Sequence, residues 1–368
     1  MNQIKLNVKT KTQTYPIIIG RNLCSKIAQI IKIYKTNFKQ CLLIIDKNVP
    51  KSSVSIIKSS LRQKKIYIYN FNANEVNKNI NSVNKILENL LKRNFSREDC
   101  VISIGGGITG DVAGFVASQF KRGLKFINLP TTLLSQVDSS IGGKTGVNTK
   151  YGKNLIGTFY QPNLVIADTN FLKTLPKREI ICGYGEILKH SLIGNKNFYN
   201  FLNKNSKNII NLYSPFLEKA IYESCKIKKD VVQKDEKEKG LRKILNFGHT
   251  FAHAYEATLK FSKKLNHGEA VMLGMITALN FSLQEKLIKK KEFQSIMNHF
   301  SNLNLPSSIN RYFGSKDLNK ILSFMSKDKK NSSNKINLIL LKGVGSPVIN
   351  KEYSKKNLSL FLKKYLRN

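Results

Sequence analysis

Short apolar runs alternate with polar, helix-compatible segments through the first half of the chain. The runs are Cys41–Asp46, Ile66–Tyr69, Val101–Gly105, Phe126–Pro130 and Leu164–Asp168. Continuous apolar runs of this length are typical of strands buried on both faces, and the polar segments between them are long enough for crossover helices. The pattern predicts a parallel sheet of the α/β class.

The second half of the chain has a different texture. After Leu175-Pro176 the short apolar runs give way to long amphipathic stretches, which are typical of helices that bury one face. We therefore predict an α/β fold with two domains. Residues 1–178 form a Rossmann-like domain with a parallel sheet, and residues 179–368 form an all-helical domain.

The chain carries a large positive charge. It has 62 Lys and Arg against 23 Asp and Glu, a formal net charge of +39. The basic residues are spread over nearly every segment, without a basic tail or an aromatic-basic RNA motif, so we expect no nucleic-acid partner. A diffuse positive field does suit an anionic substrate.

The cysteines and the N-terminal segment indicate the cellular compartment in which the protein works. The five cysteines are scattered and contain no CxxC pair, which argues against a disulfide framework and a thiolate metal site. The first 20 residues lack the apolar core of a signal peptide, and no stretch approaches the ~20 apolar residues of a membrane span. We expect a soluble, cytoplasmic protein with no membrane partner.

Three of the five histidines lie within nineteen residues, at His249, His253 and His267. Neutral imidazoles, with a carboxylate such as Glu186 brought in from upstream, are the ligands that a catalytic divalent metal needs. Spacing alone nominates His249 and His253, which lie four residues apart on one predicted helix. A histidine in the core or at a helix cap would account for any one of them singly.

A glycine-rich segment, Gly105–Gly114, follows a predicted strand and opens a predicted helix. Glycines at such a turn let the backbone approach a pyrophosphate, whose charge rests on the helix N-terminus. Asp46 ends an earlier strand, where a ribose-binding acid is expected. A tight turn and a helix-capping acid would show the same pattern, so these residues alone leave both interpretations open.

Further motifs follow at Pro130–Asn148 and Lys153–Phe159. Together with the glycine turn, the Glu186 segment and the histidine motifs, they resemble the 3-dehydroquinate synthase family, in order from about Asp46 to Lys330. The resemblance implies NAD in the N-terminal domain and Zn²⁺, or Co²⁺, as the metal. It also implies a homodimer.

The resemblance also implies the reaction. Enzymes of this family convert 3-deoxy-D-arabino-heptulosonate 7-phosphate, a phosphorylated sugar acid, into 3-dehydroquinate and phosphate. A hydroxyl is oxidised by NAD, phosphate is eliminated, the ketone is reduced again, and an aldol step closes the ring. This is the second step of the shikimate pathway, which leads to chorismate and the aromatic amino acids.

Residue by residue, the resemblance assigns Glu186, His249 and His267 to the metal. It gives His253 to the phosphate side of the substrate or to proton handling. The other substrate or catalytic positions that match are Lys144, Lys189, Lys228, Arg242, Asp138, Asn154, Asn246, Glu238, Arg122 from the neighbouring subunit, and Lys329 or Lys330. Glu269 and Glu256 carry no assignment and are expected to be structural, as a first-turn charge and a residue on the helix surface.

The positions that match the NAD site are Asp46, Asn48, Glu75, Lys78, Gly107, Ile108, Thr109, Gly110, Asp111, Thr131, Thr132, Lys144, Lys153, Phe171, Leu172, Lys173 and Thr174. The chain departs from the family pattern at Ala73-Asn74, where the family has an Asp-Gly pair before the matching glutamate. Glu75 and Lys78 themselves keep the family pattern.

Three alternatives remain at this point. Glycerol and iron-dependent alcohol dehydrogenases share the fold and a metal site, but they carry out a net hydride transfer and need no cluster of phosphate and carboxylate donors. Other sugar phosphate cyclases keep almost every motif and differ in a few pocket residues. A basic, non-catalytic nucleic-acid-binding protein would bind arbitrary DNA in a salt-sensitive way and hold no metal.

Overall fold

The structure is a computed structural model that describes residues 3–326 and 335–366. It divides into two compact units. The first comprises Met1–Ile180 and Ser214–Lys237, and the second comprises Ile181–Tyr213 and Glu238–Asn368. No helix among the described residues is long and apolar enough to cross a membrane.

The strands are β1 (Ile4–Lys9), β2 (Thr14–Gly20), β3 (Gln40–Asp46), β4 (Lys65–Phe71), β5 (Cys100–Gly105), β6 (Lys125–Pro130), β7 (Lys144–Thr149), β8 (Gly152–Phe159), β9 (Leu164–Asp168), β10 (Lys335–Gly343) and β11 (Ser346–Ser354). The α-helices are α1 (Ile27–Ile33), α2 (Lys51–Ser60), α3 (Ile80–Lys92), α4 (Gly107–Gln119), α5 (Lys177–Gly194), α6 (Lys196–Ile210), α7 (Phe216–Lys234), α8 (His249–Thr258), α9 (His267–Gln284), α10 (Lys290–Asn302), α11 (Leu318–Ser326) and α12 (Lys355–Tyr365).

The first unit contains a seven-stranded sheet in the order β1-β2-β9-β6-β5-β3-β4. The strands from β2 to β4 in this order pair in parallel, and β1 pairs antiparallel with β2. The five apolar runs correspond to β3, β4, β5, β6 and β9, so the predicted parallel sheet is confirmed. The first two strands, the edge strand β1 and its neighbour β2, were not predicted.

Both faces of this sheet are buried. Along β3, Leu43 and Ile45 belong to one apolar cluster, whereas Leu42 and Ile44 belong to the cluster on the opposite face. Successive side chains of a strand point to opposite faces, so a continuous apolar run serves two cores at once. This is why the strand pattern was visible in the sequence.

The second unit is predominantly helical and includes α6 and α8 to α12, with most of α5. The mixed α/β fold class with a helical C-terminal region is therefore confirmed. The unit also contains an antiparallel hairpin, β10 with β11, which an all-helical prediction did not include. The sequence placed 214–237 in its second domain, but these residues, with α7, belong to the first unit.

Candidate functional site

The second unit brings together three side chains that lie far apart in the sequence. Glu186 lies on α5, His249 is the first residue of α8, and His267 is the first residue of α9. One ligand atom from each lies within 4.8 Å of the others. The structure thus places His249 with Glu186 and His267, which are the partners that the family resemblance names.

Local sequence determines where the two histidine helices begin. Gly248, with φ of 79°, precedes α8 in the left-handed conformation that glycine adopts without strain. Asn266 caps α9, and its side chain accepts from the backbone N–H of Glu269 while the Glu269 carboxylate accepts from the Asn266 N–H. This capping box begins the helix at His267 and confirms Glu269 as a first-turn structural charge.

Close packing holds the helices near one another. A Cβ added to Gly268 would meet the Cys182 Cα and Sγ atoms of α5 at 2.4 Å. A Cβ on Gly248 would meet the Met275 nitrogen of α9 at 2.7 Å. Only glycine allows these approaches, so the distances among the three ligands depend on residues that carry no functional group.

The polar contacts of the cluster orient its side chains. Glu186 is buried and forms an ion pair with buried Lys189, one helical turn along α5. The other carboxylate oxygen lies 3.7 Å from His249 Nε2. His249 Nδ1 lies 3.3 Å from the Phe247 carbonyl oxygen, to which it can only donate. His249 therefore presents Nε2, with its lone pair, to the carboxylate side of the cluster.

This donor set fits a divalent metal. One carboxylate and two imidazoles form a mixed oxygen and nitrogen set that Zn²⁺ or Co²⁺ accepts, and three protein ligands leave positions for substrate oxygens. In a tetrahedral site with bonds of about 2.1 Å, ligand atoms lie roughly 3.4 Å apart. The 3.7 Å between His249 Nε2 and Glu186 Oε1 matches that spacing closely.

The second unit also contains the other candidates that its sequence offers: His253, Arg242, Asn246, Glu238, Lys329 and Lys330. The exposed His253 ring lies with its centroid 5.4 Å from that of His249 and 6.3 Å from that of His267. Arg242 is fully buried, and Asn246 Nδ2 donates to Glu238 Oε1 at 2.7 Å. Lys329 and Lys330 lie outside the described residues.

In the first unit, the NAD candidates gather at the carboxyl ends of the parallel strands. In the sheet, β3 lies between β4 and β5. The chain adds β4 on one side of β3 and then returns to add β5 on the other side, so the strand order reverses between β3 and β5. Open α/β sheets bind ligands at such a switch point. Asp46 ends β3 and Gly105 ends β5, and a Cβ on Gly105 would lie 3.0 Å from the Asp46 Cβ.

The N-terminus of α4 fits an anion. Gly106 precedes the helix without a side-chain cap, and its first turn contains no acidic residue. The first backbone N–H groups of a helix have no partner inside it and carry the positive end of its dipole. This turn contains the predicted residues Gly107, Ile108, Thr109 and Gly110, so phosphate oxygens can take the place of a cap.

Asp46 is oriented by its own turn. Its Oδ1 accepts from the Asn48 backbone N–H at 3.0 Å and from Asn48 Nδ2 at 3.2 Å. Burial raises the Asp46 pKa, and the two Asn48 bonds offset part of that effect. The carboxylate is thereby fixed at the strand end.

Lys78 links three candidate positions. Its buried ammonium donates to Asp111 Oδ2 at 2.5 Å and to Asn154 Oδ1 at 2.6 Å. Burial raises the Asp111 pKa and outweighs the opposing charge of Lys78. The lysine therefore ties the first helix turns of α4 to the β7–β8 hairpin.

Glu75 forms a second link to the same hairpin. Lys153 Nζ donates to Glu75 Oε1 at 2.7 Å, and Asn148 Nδ2 donates to Oε2 at 2.8 Å. Burial opposes ionisation of Glu75, but the Lys153 ammonium and the Asn148 amide together lower its pKa. A cavity of about 630 Å³ lies beside this residue, lined also by Val76, Asn79, Asn148 and Tyr151.

The remaining first-unit candidates lie on α7, between α4 and β6, at the start of β7, and in the segments after β6 and β9. Buried Lys228 donates to Asp138 Oδ1 and to the Asp138 carbonyl, both at 2.6 Å. Exposed Lys144 begins β7, and exposed Arg122 lies in a turn with φ of 66°. The other positions lie directly after strand ends: Thr131 and Thr132 follow β6, and Phe171, Leu172, Lys173 and Thr174 follow β9.

The structure contradicts the prediction for one acidic residue, Glu256. Glu256 was expected on the helix surface, but the structure buries it, and its Oε2 lies 3.3 Å from His267 Nδ1. The sequence contained a signal for this contact, because Glu256 lies seven residues after His249 and three after His253. Those spacings place all three on one helix face.

Comparisons with known proteins agree over the whole chain. A family model described as 3-dehydroquinate synthase N-terminal matches residues 68–182, and one described as 3-dehydroquinate synthase C-terminal matches residues 183–331. A 3-dehydroquinate synthase of Pelagibacter ubique (strain HTCC1062) is 63% identical over 366 residues, covering 100% of both chains. One of Bartonella quintana (strain Toulouse) is 40% identical over 98% of both chains.

A solved structure shares the fold over nearly its full length. It is a 2-deoxy-scyllo-inosose synthase complexed with carbaglucose-6-phosphate, NAD⁺ and Co²⁺, with a TM-score of 0.87 and 27% identity, covering 99% of this chain and 100% of that chain. The N-terminal family model spans the glycine turn, and the C-terminal family model spans the Glu186 segment and both histidine motifs. The chain belongs to the 3-dehydroquinate synthase family.

Proposed function

We propose that this protein converts 3-deoxy-D-arabino-heptulosonate 7-phosphate into 3-dehydroquinate and inorganic phosphate, the second step of the shikimate pathway. The observation that carries the proposal is the grouping of Glu186, His249 and His267 beside the buried Lys189, in a chain 63% identical to a 3-dehydroquinate synthase over its full length.

The proposal includes two cofactors. Glu186, His249 and His267 would hold Zn²⁺ or Co²⁺, which would supply Lewis-acid polarisation of a substrate hydroxyl. The strand ends around Asp46, the α4 turn and the loop at Lys78 would hold NAD, which would supply reversible hydride transfer. The similar inosose synthase was solved with NAD⁺ and Co²⁺, which supports both assignments.

The chain's own residues bind the substrate and handle its protons. Lys189 is held beside Glu186 with little freedom, so it offers a fixed positive donor to substrate oxygens at the metal ligands. Arg242 and His253 supply positive or proton-carrying groups in the same unit. The pairs Lys228–Asp138 and Asn246–Glu238 keep polar atoms in set orientations for substrate hydroxyls.

Loss of the phosphate group depends on the preceding oxidation. Oxidation of one hydroxyl to a ketone acidifies the neighbouring C–H, and phosphate then leaves by elimination. Lys144 and Arg122 are exposed cations suited to the phosphate. In this proposal Arg122 comes from the neighbouring subunit of a homodimer, and the enzyme acts in the cytoplasm. Both statements are supported by the family resemblance alone.

The second candidate is another sugar phosphate cyclase. The favouring observation is the TM-score of 0.87 to a 2-deoxy-scyllo-inosose synthase. That enzyme shares 27% of its residues with this chain, compared with 63% for the Pelagibacter ubique synthase. A metal-dependent polyol dehydrogenase would instead accumulate reduced cofactor, because it carries out a net hydride transfer.

The deciding experiment measures phosphate release and absorbance of NADH together, with zinc-loaded protein, NAD and 3-deoxy-D-arabino-heptulosonate 7-phosphate. We expect phosphate release without NADH accumulation. Lys189→Ala should retain metal and NAD but lose turnover by about 10² to 10⁴-fold, as removal of a proton-transfer or orienting group does. His267→Ala should lose the metal itself.

The outcomes separate the candidates. Steady NADH growth with a simple polyol would identify a dehydrogenase. Phosphate release only from a hexose 6-phosphate would identify a different cyclase. Full metal binding and activity in His267→Ala would show that the ligand assignment is wrong.

A further inference from the structure

Glu256 is a buried glutamate to which the proposed reaction assigns no role. It lies on α8 seven residues after His249, about two helical turns along, and 7% of its surface is exposed. Its Oε2 atom lies 3.3 Å from Nδ1 of His267, the first residue of α9. The contact joins the two helices that carry the candidate histidine ligands.

The direction of this hydrogen bond follows from its partners. An ionised carboxylate has no proton to donate, so the Nδ1–H of His267 must be the donor. The proton of a neutral imidazole is then on Nδ1, and Nε2 carries the lone pair that can bind a metal. Glu256 thus selects the tautomer of His267 and fixes its ring orientation.

His249 is held by a different group in the same way. Its Nδ1 donates to the Phe247 carbonyl oxygen at 3.3 Å, so it also presents Nε2. The two histidines therefore have matching tautomers, one selected by the backbone and one by a side chain. Only the second can be removed by substitution, and a carboxylate also makes the imidazole a stronger base than a carbonyl does.

We propose that Glu256 is a positioning residue for the metal site, which acts through His267 and raises its affinity for Zn²⁺ or Co²⁺. The inference rests on the proposed function, because it takes Glu186, His249 and His267 as the metal ligands. Burial of a carboxylate costs free energy unless a partner compensates. The contact with His267 compensates that cost and directs the imidazole at the same time.

The test measures metal affinity, without substrate. Native protein, Glu256→Gln and Glu256→Ala are stripped of metal and titrated with Zn²⁺ against a competing chelator, and with Co²⁺ by its visible absorption. Loss of the partner of a metal-bound histidine weakens binding by roughly 10 to 100-fold. We expect the smaller loss for Gln, whose amide oxygen can still accept, and the larger loss for Ala.

Glu292→Gln is the matched control. Glu292 is a partly buried carboxylate of the same unit, whose Oε1 accepts from the Val344 N–H at 2.8 Å. Its substitution should leave the Zn²⁺ dissociation constant within about twofold of native, even if the protein unfolds at a lower temperature.

A second measurement reports the tautomer directly. The ¹⁵N shifts of the His267 ring in the metal-free protein should show protonated Nδ1 in the native chain. In Glu256→Gln and Glu256→Ala they should shift towards the form protonated at Nε2, which free imidazole side chains favour. A purely structural glutamate would change stability without changing this ratio.

Each outcome is decisive. If native protein binds one Zn²⁺ and both Glu256 variants keep its affinity and the native tautomer, the positioning role is wrong while the metal site stands. If native protein binds no Zn²⁺, or His267→Ala binds it as well as native, the ligand set fails and this role fails with it. Weakened binding with a native tautomer ratio would also contradict the role.

Discussion

His299 is a buried titratable residue of the second unit with no place in the proposed chemistry. It is 3% exposed, and burial lowers its pKa to about 4. Its Nδ1 donates to Asn203 Oδ1, and its Nε2 accepts from the Tyr184 hydroxyl at 2.8 Å. Neutral imidazole satisfies both bonds, whereas imidazolium would have no acceptor left for Tyr184.

This arrangement predicts a pH dependence of stability. Between about pH 6.5, the ordinary histidine value, and about pH 4, the unfolded chain binds a proton at this residue and the folded chain does not. The free energy of unfolding therefore falls as pH decreases through that window, by up to about 1.4 kcal/mol per pH unit. Denaturant unfolding of native protein and His299→Gln at several pH values measures the difference.

His299→Gln lacks the titrating group, so its stability should change less steeply between those pH values. Equal slopes for the two proteins would contradict the assignment of a depressed histidine pKa. A general loss of stability in the variant at all pH values would not, because only the difference in slope reports protonation.

At the scale of secondary-structure elements, glycines decide how closely the ligand-bearing helices approach. Gly268 faces Cys182 so tightly that even a methyl group overlaps the backbone of α5. The Gly268 N–H also lies 3.1 Å from the Cys182 Sγ, which accepts from it. The relative position of Glu186 and His267 is therefore set at this crossing, one residue after the histidine.

Gly268→Ala should separate α5 from α9. We expect a loss of about 1–3 kcal/mol in the free energy of unfolding, which is typical of overpacking, and a weaker Zn²⁺ affinity because the ligands move apart. Gly314→Ala is the control, since nothing lies within 4 Å of a Cβ at that position. Unfolding curves and chelator competition measure the two effects. Native affinity in Gly268→Ala would show that the site tolerates helix displacement.

Element-scale patterns explain which strands were predictable. β3, β5 and β9 are buried on both faces, and their apolar runs stand out from the surrounding sequence. β7 and β8 form a two-stranded hairpin in which Leu155, Ile156 and Phe159 are exposed. Its apolar residues do not mark a buried face, so the hairpin could not be recognised from periodicity.

At the scale of the whole molecule, the net charge of +39 predicts a weak and non-specific attraction to DNA, as it would for a basic nucleic-acid-binding protein, so metal binding and turnover are what separate the two. Such binding depends on counterion release and falls steeply with salt. We expect retention of an arbitrary labelled duplex near about 50 mM NaCl and none near about 200 mM, with phosphate release unaffected by added duplex. Fluorescence anisotropy at several salt concentrations measures it. Salt-resistant binding to one preferred sequence would instead indicate a dedicated nucleic-acid site.

The division of the chain also belongs to this scale. The amphipathic stretches after Leu175-Pro176 predict helices, but they do not say which apolar surface each helix covers. In the structure α7 packs in the first unit, against β1 and β2. Helical periodicity records that one face is buried, and any apolar surface of suitable shape satisfies it.

The sequence by itself determined the parallel sheet, the glycine turn at the end of β5 and the residue types of the metal cluster. Periodicity and short motifs involve residues that are close in the chain, so they can be recognised from the sequence alone. Spacing alone paired His249 with His253, and the family resemblance named His267 instead; the tertiary structure shows His267 grouped with His249 and Glu186. Only the tertiary structure decided that Glu256 is buried against His267. Those contacts depend on helix crossings at glycines, where the information is spread over residues distant in the chain.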